Sequence, residues 1–188
     1  MTTKNTYSWL EGDNVYLRPV EVEDSEAYYG TLYDADVRRL TGTKAAFSKH
    51  QVTHHLEAKG LDSSSILLWI IRKDTNEPIG DIELQDINGM NRSAGIRIAI
   101  HDHAHQGKGH GSEALRLMLD YAFGIANLHR VELNVFAYNE RAIHVYKKIG
   151  FKQEGVQRDA LFYNHRYYDS ILMSMLEDEY REMYLQQP

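Results

Sequence analysis

A glycine-rich segment carries the residue types and spacing that suit phosphate binding. It reads Gln106-Gly-Lys-Gly-His-Gly111 and lies directly before an apolar stretch with helical periodicity. Alternate glycines tolerate positive φ and leave their backbone N–H groups uncovered. Such a loop can curl into a nest of donors, and the dipole of the following helix adds positive potential at the same point. The segment therefore predicts a site for a pyrophosphate that needs no metal ion.

Two other phosphate loops and a plain turn compete with this interpretation. The Walker pattern G-x-x-x-x-G-K-[ST] does not occur in the sequence. A dinucleotide pattern can be traced through Gly109, Gly111 and Ala114, and Glu132 lies near the spacing expected of a ribose-binding acid, but within a predicted strand. The dinucleotide site and a glycine loop that serves only as a turn stay open as alternatives.

A second motif lies downstream, between Asn139 and Phe151, and reads N-E-R-A-I-H-V-Y-K-K-I-G-F. The two motifs are Q-x-x-G-x-G from Gln106 and N-x-x-A-x-x-x-Y-x-K-x-G-F from Asn139, in that order. Together they resemble the signatures of the GNAT superfamily of N-acetyltransferases. The resemblance covers residues 15–176, and it is strongest to polyamine N-acetyltransferases and ribosomal-protein N-terminal acetyltransferases.

The resemblance implies both a fold and a cosubstrate. The fold is α/β in three layers, with helices flanking a mixed central sheet that contains a parallel, splayed strand pair. The family binds acetyl-CoA, with the pantetheine arm in the gap beside a bulged strand, here residues 95–101, and the pyrophosphate in the glycine loop. A main-chain N–H is expected to meet the acetyl carbonyl. The cosubstrate-binding residues that the resemblance implies are Ile98, Ala99, Ile100, Gln106, Gly107, Lys108, Gly109, His110, Gly111, Ser112, Asn139, Ala142 and Tyr146.

Acetyl transfer to an amine needs a proton donor and a proton acceptor. Tyr146 is the predicted acid, because a phenol with a pKa of about 10 can protonate a leaving thiolate. Glu83, on the polar side of an alternating strand, is the predicted base, since an alkylamine with a pKa of about 10.4 must lose a proton before it attacks. A core tyrosine and a solvated strand face are the structural alternatives. The predicted substrate-binding residues are Asp81, Glu83, Asp86 and Tyr33.

Composition narrows the classes of function. A net charge of −6 argues against a broad nucleic-acid surface and suits a cationic substrate, although it also serves solubility. The absence of cysteine excludes a cysteine acyl-enzyme, so the acetyl group is expected to move directly.

His101, His103 and His105 alternate, but without cysteine and with only Asp102 as a spaced carboxylate we expect no metal. With no membrane-spanning run and no secretory signal, we expect a cytoplasmic protein.

The elements that position these residues follow from periodicity and turn chemistry. The order strand, loop, helix, strand around the glycine loop favours a parallel crossover in a mixed sheet. We predict a single domain over 1–188, with its core in 15–176. Strands are predicted at 15–19, 66–72, 79–87, 95–101, 130–136, 156–163 and 166–176, and helices from 24, from 48 to 60, at 112–126, at 139–149 and in the tail 177–188.

The sequence therefore predicts acetyl transfer from acetyl-CoA to a primary amine in a ternary complex. A small polyamine such as spermidine is the first choice of acceptor, and the N-terminal α-amine of a protein is the second. A coenzyme A-binding regulator without turnover is the alternative from another class. The resemblance also implies a homodimer or a higher homo-oligomer.

Overall fold

A computed structural model describes residues 8–101 and 103–185 of the chain. Eight strands occur in these residues: β1 (Leu10–Glu11), β2 (Val15–Pro19), β3 (Ile66–Arg72), β4 (Pro78–Asn88), β5 (Ser93–Ile100), β6 (Arg130–Phe136), β7 (Lys152–Tyr163) and β8 (Arg166–Leu176). The α-helices are α1 (Ser25–Thr31), α2 (Ala35–Thr41), α3 (Lys49–Leu61), α4 (His110–Gly124), α5 (Glu140–Ile149) and α6 (Glu177–Tyr184). Short 3₁₀ turns span Val22–Asp24 and His103–His105.

The strands form one mixed sheet in the order β1-β2-β3-β4-β5-β6-β8-β7. Neighbouring strands are antiparallel except β5 and β6, which run parallel. A parallel pair needs a crossover connection, and α4 supplies it. The predicted fold class, a mixed sheet with a parallel pair and flanking helices, is confirmed.

Most of the central strands carry apolar side chains on both sides. Helices therefore pack on both faces of the sheet and bury them. On one face, α4 contributes its apolar stripe, including Leu115, Met118 and Leu119, to the larger core. On the other face, α1 and α3 pack Tyr28 and Leu56 against alternate residues of β3. The run Ile66–Arg72 is continuously apolar up to its last residue because β3 lies between these two cores.

Several element boundaries differ from the predicted ones. The helix expected from residue 24 is two helices, because the chain turns at 32–34 and Asp34 caps α2 by accepting from the Val37 N–H at 2.8 Å. Helix α3 continues through Gly60 and ends before Asp62, whose carboxylate accepts from the Ser64 N–H. Strand β1 was not predicted, and the described part of the tail confirms the expected terminal helix as α6. Residues 186–188 of that tail lie outside the described residues.

Glu113 fastens the first strands to α4. Its buried carboxylate accepts from the N–H groups of Asn14 and Val15 at 2.8 and 3.3 Å and from the Asn14 side-chain amide at 3.0 Å. A side chain at Gly12 would collide with this carboxylate, which leaves glycine as the residue that fits there. Helix α4, which follows the glycine loop, is therefore bonded to the start of β2, near the N-terminal end of the sequence.

We predict that Glu113→Ala destabilises the protein by about 1–3 kcal/mol, because it leaves buried donors without an acceptor. Thermal unfolding followed by circular dichroism measures the change. Glu57→Ala is the matched control, since Glu57 is exposed and, among the described residues, pairs only with His54 at 3.5 Å. Equal melting temperatures for the two variants would show that the Glu113 contacts contribute little.

Candidate active site

The sheet opens between its two parallel strands. Strands β5 and β6 pair only from Ser93 to Gly95, opposite Arg130 to Glu132, and then separate. On its other side β5 stays paired with β4, and the His101 N–H still donates to the Ile79 carbonyl at 2.9 Å. The separation leaves a gap whose β5 wall ends at the glycine loop.

Main-chain polar groups face this gap at alternate residues of β5. Since His101 directs its N–H to β4, the even-numbered residues before it direct theirs away from β4. Ile98 and Ile100 lie beyond the last residue paired with β6, so their main-chain groups face the gap. Ala99 directs its main-chain groups to β4, so of the three predicted backbone partners two face the gap and Ala99 does not.

The expected bulge lies in the neighbouring strand. The pairing of β4 with β5 loses register between Gln85 and Asn88, and Asp86 takes a φ of 53° there. From Gly95 to Ile100 the register of β5 against β4 is continuous. The gap therefore arises because β6 departs from β5, and a bulge in β5 is not needed to open it.

Gln106 joins the loop to both sides of the gap. Its Nε2 donates to the Ile100 carbonyl at 3.2 Å, and its Oε1 accepts from Arg141 Nη1 at 2.7 Å. Arg141 belongs to the first turn of α5, which follows β6, and its Nη2 would lie 3.6 Å from a side chain built at Gly107. Arg141 was not among the predicted site residues, although a cation at the positive end of a helix is unfavourable and can indicate another role.

The glycine loop has the backbone that phosphate binding requires. Gly107 and Gly109 have φ of 76° and 89°, in the left-handed region that favours glycine. Gly109 is the N-cap residue of α4 and has no side chain with which to cap the first turn. A side chain built at Gly111 would lie 3.5 Å from Ile100 Cγ1, so the uncapped donors stand beside the gap. Donors, helix dipole and gap together fit a pyrophosphate joined to an extended amide-containing arm.

The other predicted loop residues lie around this helix end. Lys108 is exposed, and within the described residues it forms no ion pair. Ser112 is half-buried in the first turn of α4. His110 also lies in this turn, and its buried Nδ1 has no hydrogen-bond partner in the described part of the chain. The structure therefore brings the predicted residues of 106–112 together at one end of the gap.

Tyr146 lies on α5 with its ring packed against the larger core and 5.9 Å from the ring of Phe151. Burial raises the pKa of Tyr146 to about 12. Its hydroxyl has no hydrogen-bond partner within residues 8–101 and 103–185. A half-buried phenol that stays protonated and has no partner among the described residues is suited to donate its proton to a bound ligand.

Asn139 combines a structural role with an unused amide. Its Oδ1 accepts from the Ala142 N–H at 3.2 Å and caps α5. Its side-chain nitrogen makes no hydrogen bond among the described residues, which leaves a donor beside the C-terminal end of β6. Ala142 is half-buried against the larger core on the same helix as Tyr146.

The predicted acidic residues of β4 form a buried charge network with cations of the chain. Asp81 and Glu83 are each 3% exposed, so the alternative of a solvated strand face does not apply to them. Arg97 bridges them, with Nη1 2.7 Å from Asp81 Oδ2 and Nε 2.6 Å from Glu83 Oε2. Lys59 Nζ lies 2.7 Å from Glu83 Oε1, and His101 Nε2 lies 2.6 Å from Asp81 Oδ1.

These contacts favour the charged forms of Asp81 and Arg97. Burial alone would raise the pKa of Asp81, but Arg97 and His101 outweigh burial and hold the pKa below its ordinary value. Burial would lower the pKa of Arg97, yet the two carboxylates and Tyr28 raise it overall. Burial, with the nearby charge of Asp81, raises the pKa of Tyr28 to about 12. The carboxylates are therefore neutralised by partners within the chain.

The remaining predicted substrate residues lie apart from this network. Asp86 is exposed at the β4 bulge and forms no ion pair in the described part of the chain. Tyr33 follows α1, and its hydroxyl donates to the Phe47 carbonyl. Neither residue is brought against the network of Asp81 and Glu83.

No group of three or more His, Asp or Glu side chains in residues 8–101 and 103–185 is arranged to hold a metal ion. Asp102, which the sequence placed among the alternating histidines, lies outside the described residues. Of the helices that the structure describes, none combines the length and apolar character needed to cross a bilayer.

The gap beside β5 and the glycine-rich start of α4 suit an acyl-coenzyme A, the donor of an acyltransferase. Comparison with known protein families identifies the family to which this transferase belongs. Residues 14–152 match the acetyltransferase (GNAT) domain, and the chain belongs to this family. It is therefore an N-acetyltransferase, and acetyl-CoA is its cosubstrate.

Curated and structural relatives share most of the chain. The spermidine N(1)-acetyltransferase of Escherichia coli K12 is 32% identical over 167 residues, which cover 89% of this chain and 88% of that protein. A crystal structure of spermidine N-acetyltransferase from Vibrio cholerae with CoA and spermine superposes with a TM-score of 0.84 at 28% identity, covering 90% and 99% of the two chains. A dodecameric structure of the Vibrio cholerae enzyme in an intermediate state gives a TM-score of 0.79 at 26% identity, covering 94% and 100%.

We predict that Gly109→Val weakens CoA binding about ten- to hundredfold, because a β-branched residue is strained at a φ of 89° and shifts the loop donors. Isothermal titration calorimetry with CoA measures the affinity, and circular dichroism checks the fold. Gly89→Val is the control, since Gly89 has open space around it and no positive φ. A folded Gly109→Val variant with unchanged affinity would contradict the assignment of the loop.

Proposed function

We propose that the chain transfers the acetyl group of acetyl-CoA to a primary amine of a polyamine such as spermidine, by direct attack in a ternary complex. The observation that carries the choice of acceptor is the similarity to a spermidine N(1)-acetyltransferase over 89% of the chain. A structural relative with bound spermine supports the same choice. The net charge of −6 raises the local concentration of a polycation.

Residues around the gap provide the binding groups in this proposal. The loop 106–112 holds the pyrophosphate, with Arg141 as an added cation beside it. Main-chain groups of Ile98 and Ile100 and the free amide of Asn139 hold the pantetheine arm. When bound, acetyl-CoA supplies the acetyl group as a thioester. An N–H that faces the gap is preorganised to stabilise negative charge on a carbonyl oxygen.

Tyr146 is the proton donor in this proposal. Because its pKa is raised to about 12, its hydroxyl carries its proton throughout the neutral range. Its free hydroxyl is then available to the departing sulfur, which needs a proton as the bond to the acetyl group breaks. The absence of cysteine supports direct transfer, since no thiol of the chain can take up the acetyl group first.

The contacts of Glu83 do not favour its predicted role as the general base. Both of its oxygens already hold cations, Oε1 with Lys59 and Oε2 with Arg97. A carboxylate so occupied is poorly placed to take a proton from an amine. We therefore assign Asp81 and Glu83 to fixing Arg97 beside the gap, and water to carrying the proton away.

The proposal treats residues 1–188 as one acetyltransferase domain that forms a homo-oligomer. The dodecameric relative supports assembly, and β7 supports it as an edge strand with exposed apolar residues such as Val156 and Phe162. A cytoplasmic location belongs to the same proposal, because acetyl-CoA is a charged molecule that does not cross membranes unaided.

An amine screen tests the choice of acceptor. We expect thiol release from acetyl-CoA with spermidine and spermine, and a much smaller kcat/KM with peptides that present only an N-terminal α-amine. Turnover with peptides alone would replace the polyamine with a protein N-terminus. Tight CoA binding without turnover on any amine would identify a regulator in place of an enzyme.

Replacing Tyr146 tests the proton donor. We predict that Tyr146→Phe lowers kcat about 100-fold, a general-acid magnitude, with little change in acetyl-CoA affinity. Tyr184→Phe is the matched control, because the Tyr184 hydroxyl is already used in a bond to the Ile149 carbonyl at 2.8 Å. An unchanged kcat in Tyr146→Phe would remove this residue from the mechanism.

A further inference from the structure

Helix α2 bridges the gap on the face that α1 and α3 also cover. At its start, Asp36 Oδ2 lies 2.6 Å from Nε2 of His103, just beyond β5. At its end, a side chain built at Gly42 would lie 2.8 Å from the ring of Phe136, the last residue of β6. The Tyr138 hydroxyl donates to the Arg39 carbonyl. An acceptor that enters from this face must therefore pass α2.

Three aromatic rings lie together at the β6 side of the gap, and two of them contact α2 or its C-cap. The rings of Phe136 and Tyr138 are stacked with centroids 5.7 Å apart, and Tyr168 of β8 meets Tyr138 edge-on at 4.8 Å. All three residues are partly exposed. Tyr138 directly precedes Asn139, whose free amide borders the same gap. This aromatic cluster, defined by Phe136, Tyr138 and Tyr168, therefore flanks the entrance on the face of α2.

A cation of the chain already occupies the cluster. The guanidinium of Arg39 lies 5.6 Å from the centroid of Tyr138, within the range of a cation–π interaction. Arg39 is exposed, and its Nε lies 3.8 Å from Asp36 Oδ1, so the side chain has a second partner on its own helix. An incoming cation could therefore take the place of Arg39 without leaving its guanidinium unpaired.

We propose that the aromatic cluster is a subsite for an ammonium group of the acceptor, distal to the amine that is acetylated. The proposal rests on the polyamine function proposed above. A polyamine carries further ammonium groups when one amine enters the gap, and the face of Tyr138 offers one of them a cation–π contact in place of Arg39. A monoamine has no group to put there. The cluster therefore favours polyamines over monoamines as substrates.

Steady-state kinetics with spermidine and with butylamine test the subsite. Tyr138→Leu removes the ring and should raise the KM for spermidine about two- to fivefold with little change in kcat or in the KM for butylamine. Tyr138→Phe keeps the ring and should leave both KM values unchanged. Arg39→Gln frees the ring face and should lower the KM for spermidine by a similar factor.

Tyr29→Leu is the matched control. Lys49 Nζ lies 5.7 Å from the centroid of Tyr29, which gives an equivalent cation–π pair on α1 and α3 rather than at the β6 side of the gap. This variant should leave the KM for spermidine unchanged.

Three results would overturn the subsite. The first is an unchanged KM for spermidine in Tyr138→Leu. The second is an equal rise of the KM for butylamine in that variant. The third is an equal rise of the spermidine KM in Tyr138→Phe, because the effect would then belong to the hydroxyl bond with α2. Each of these leaves spermidine turnover by the wild-type enzyme in place. Failure of the wild-type enzyme to acetylate spermidine would instead overturn the proposed function, and the subsite with it.

Discussion

The departure of β6 from β5 is the constraint on which the rest of the site depends. Main-chain N–H and C=O groups within a sheet need partners, and a neighbouring strand normally supplies them. Here β6 supplies them only as far as Gly95, and beyond that Ile98 and Ile100 present their groups to the gap. A ligand with amides along an extended arm can take the place of the missing strand. In the proposed function, the glycine loop and Tyr146 act on the ligand that this gap holds.

The parts of the site that depend on single residues or short segments were predicted from the sequence. Residues 106–111 form the predicted glycine-rich helix start, because positive φ at Gly107 and Gly109 is a property of single residues. The cap at Asn139 and the left-handed end at Gly150 set both boundaries of α5 as predicted. The bounds of β6 also agree, since its alternation has clear ends.

The features that were not predicted depend on residues distant in sequence. Alternation placed Asp81 and Glu83 on one face of β4, but it could not show that helices cover this face or that the register sets Arg97 opposite Glu83. The direction of the Ala99 main chain likewise follows from pairing with β4 and from no property of alanine. The aromatic cluster joins β6, β8 and α2, so no window of sequence contains it.

The two bonds of Gln106 have a consequence for how the enzyme responds to its ligands. One amide side chain reaches the end of β5 and the first turn of the helix after β6, and the same residue begins the phosphate loop. A ligand bound to the loop as proposed would therefore act on a residue that contacts both walls of the opening.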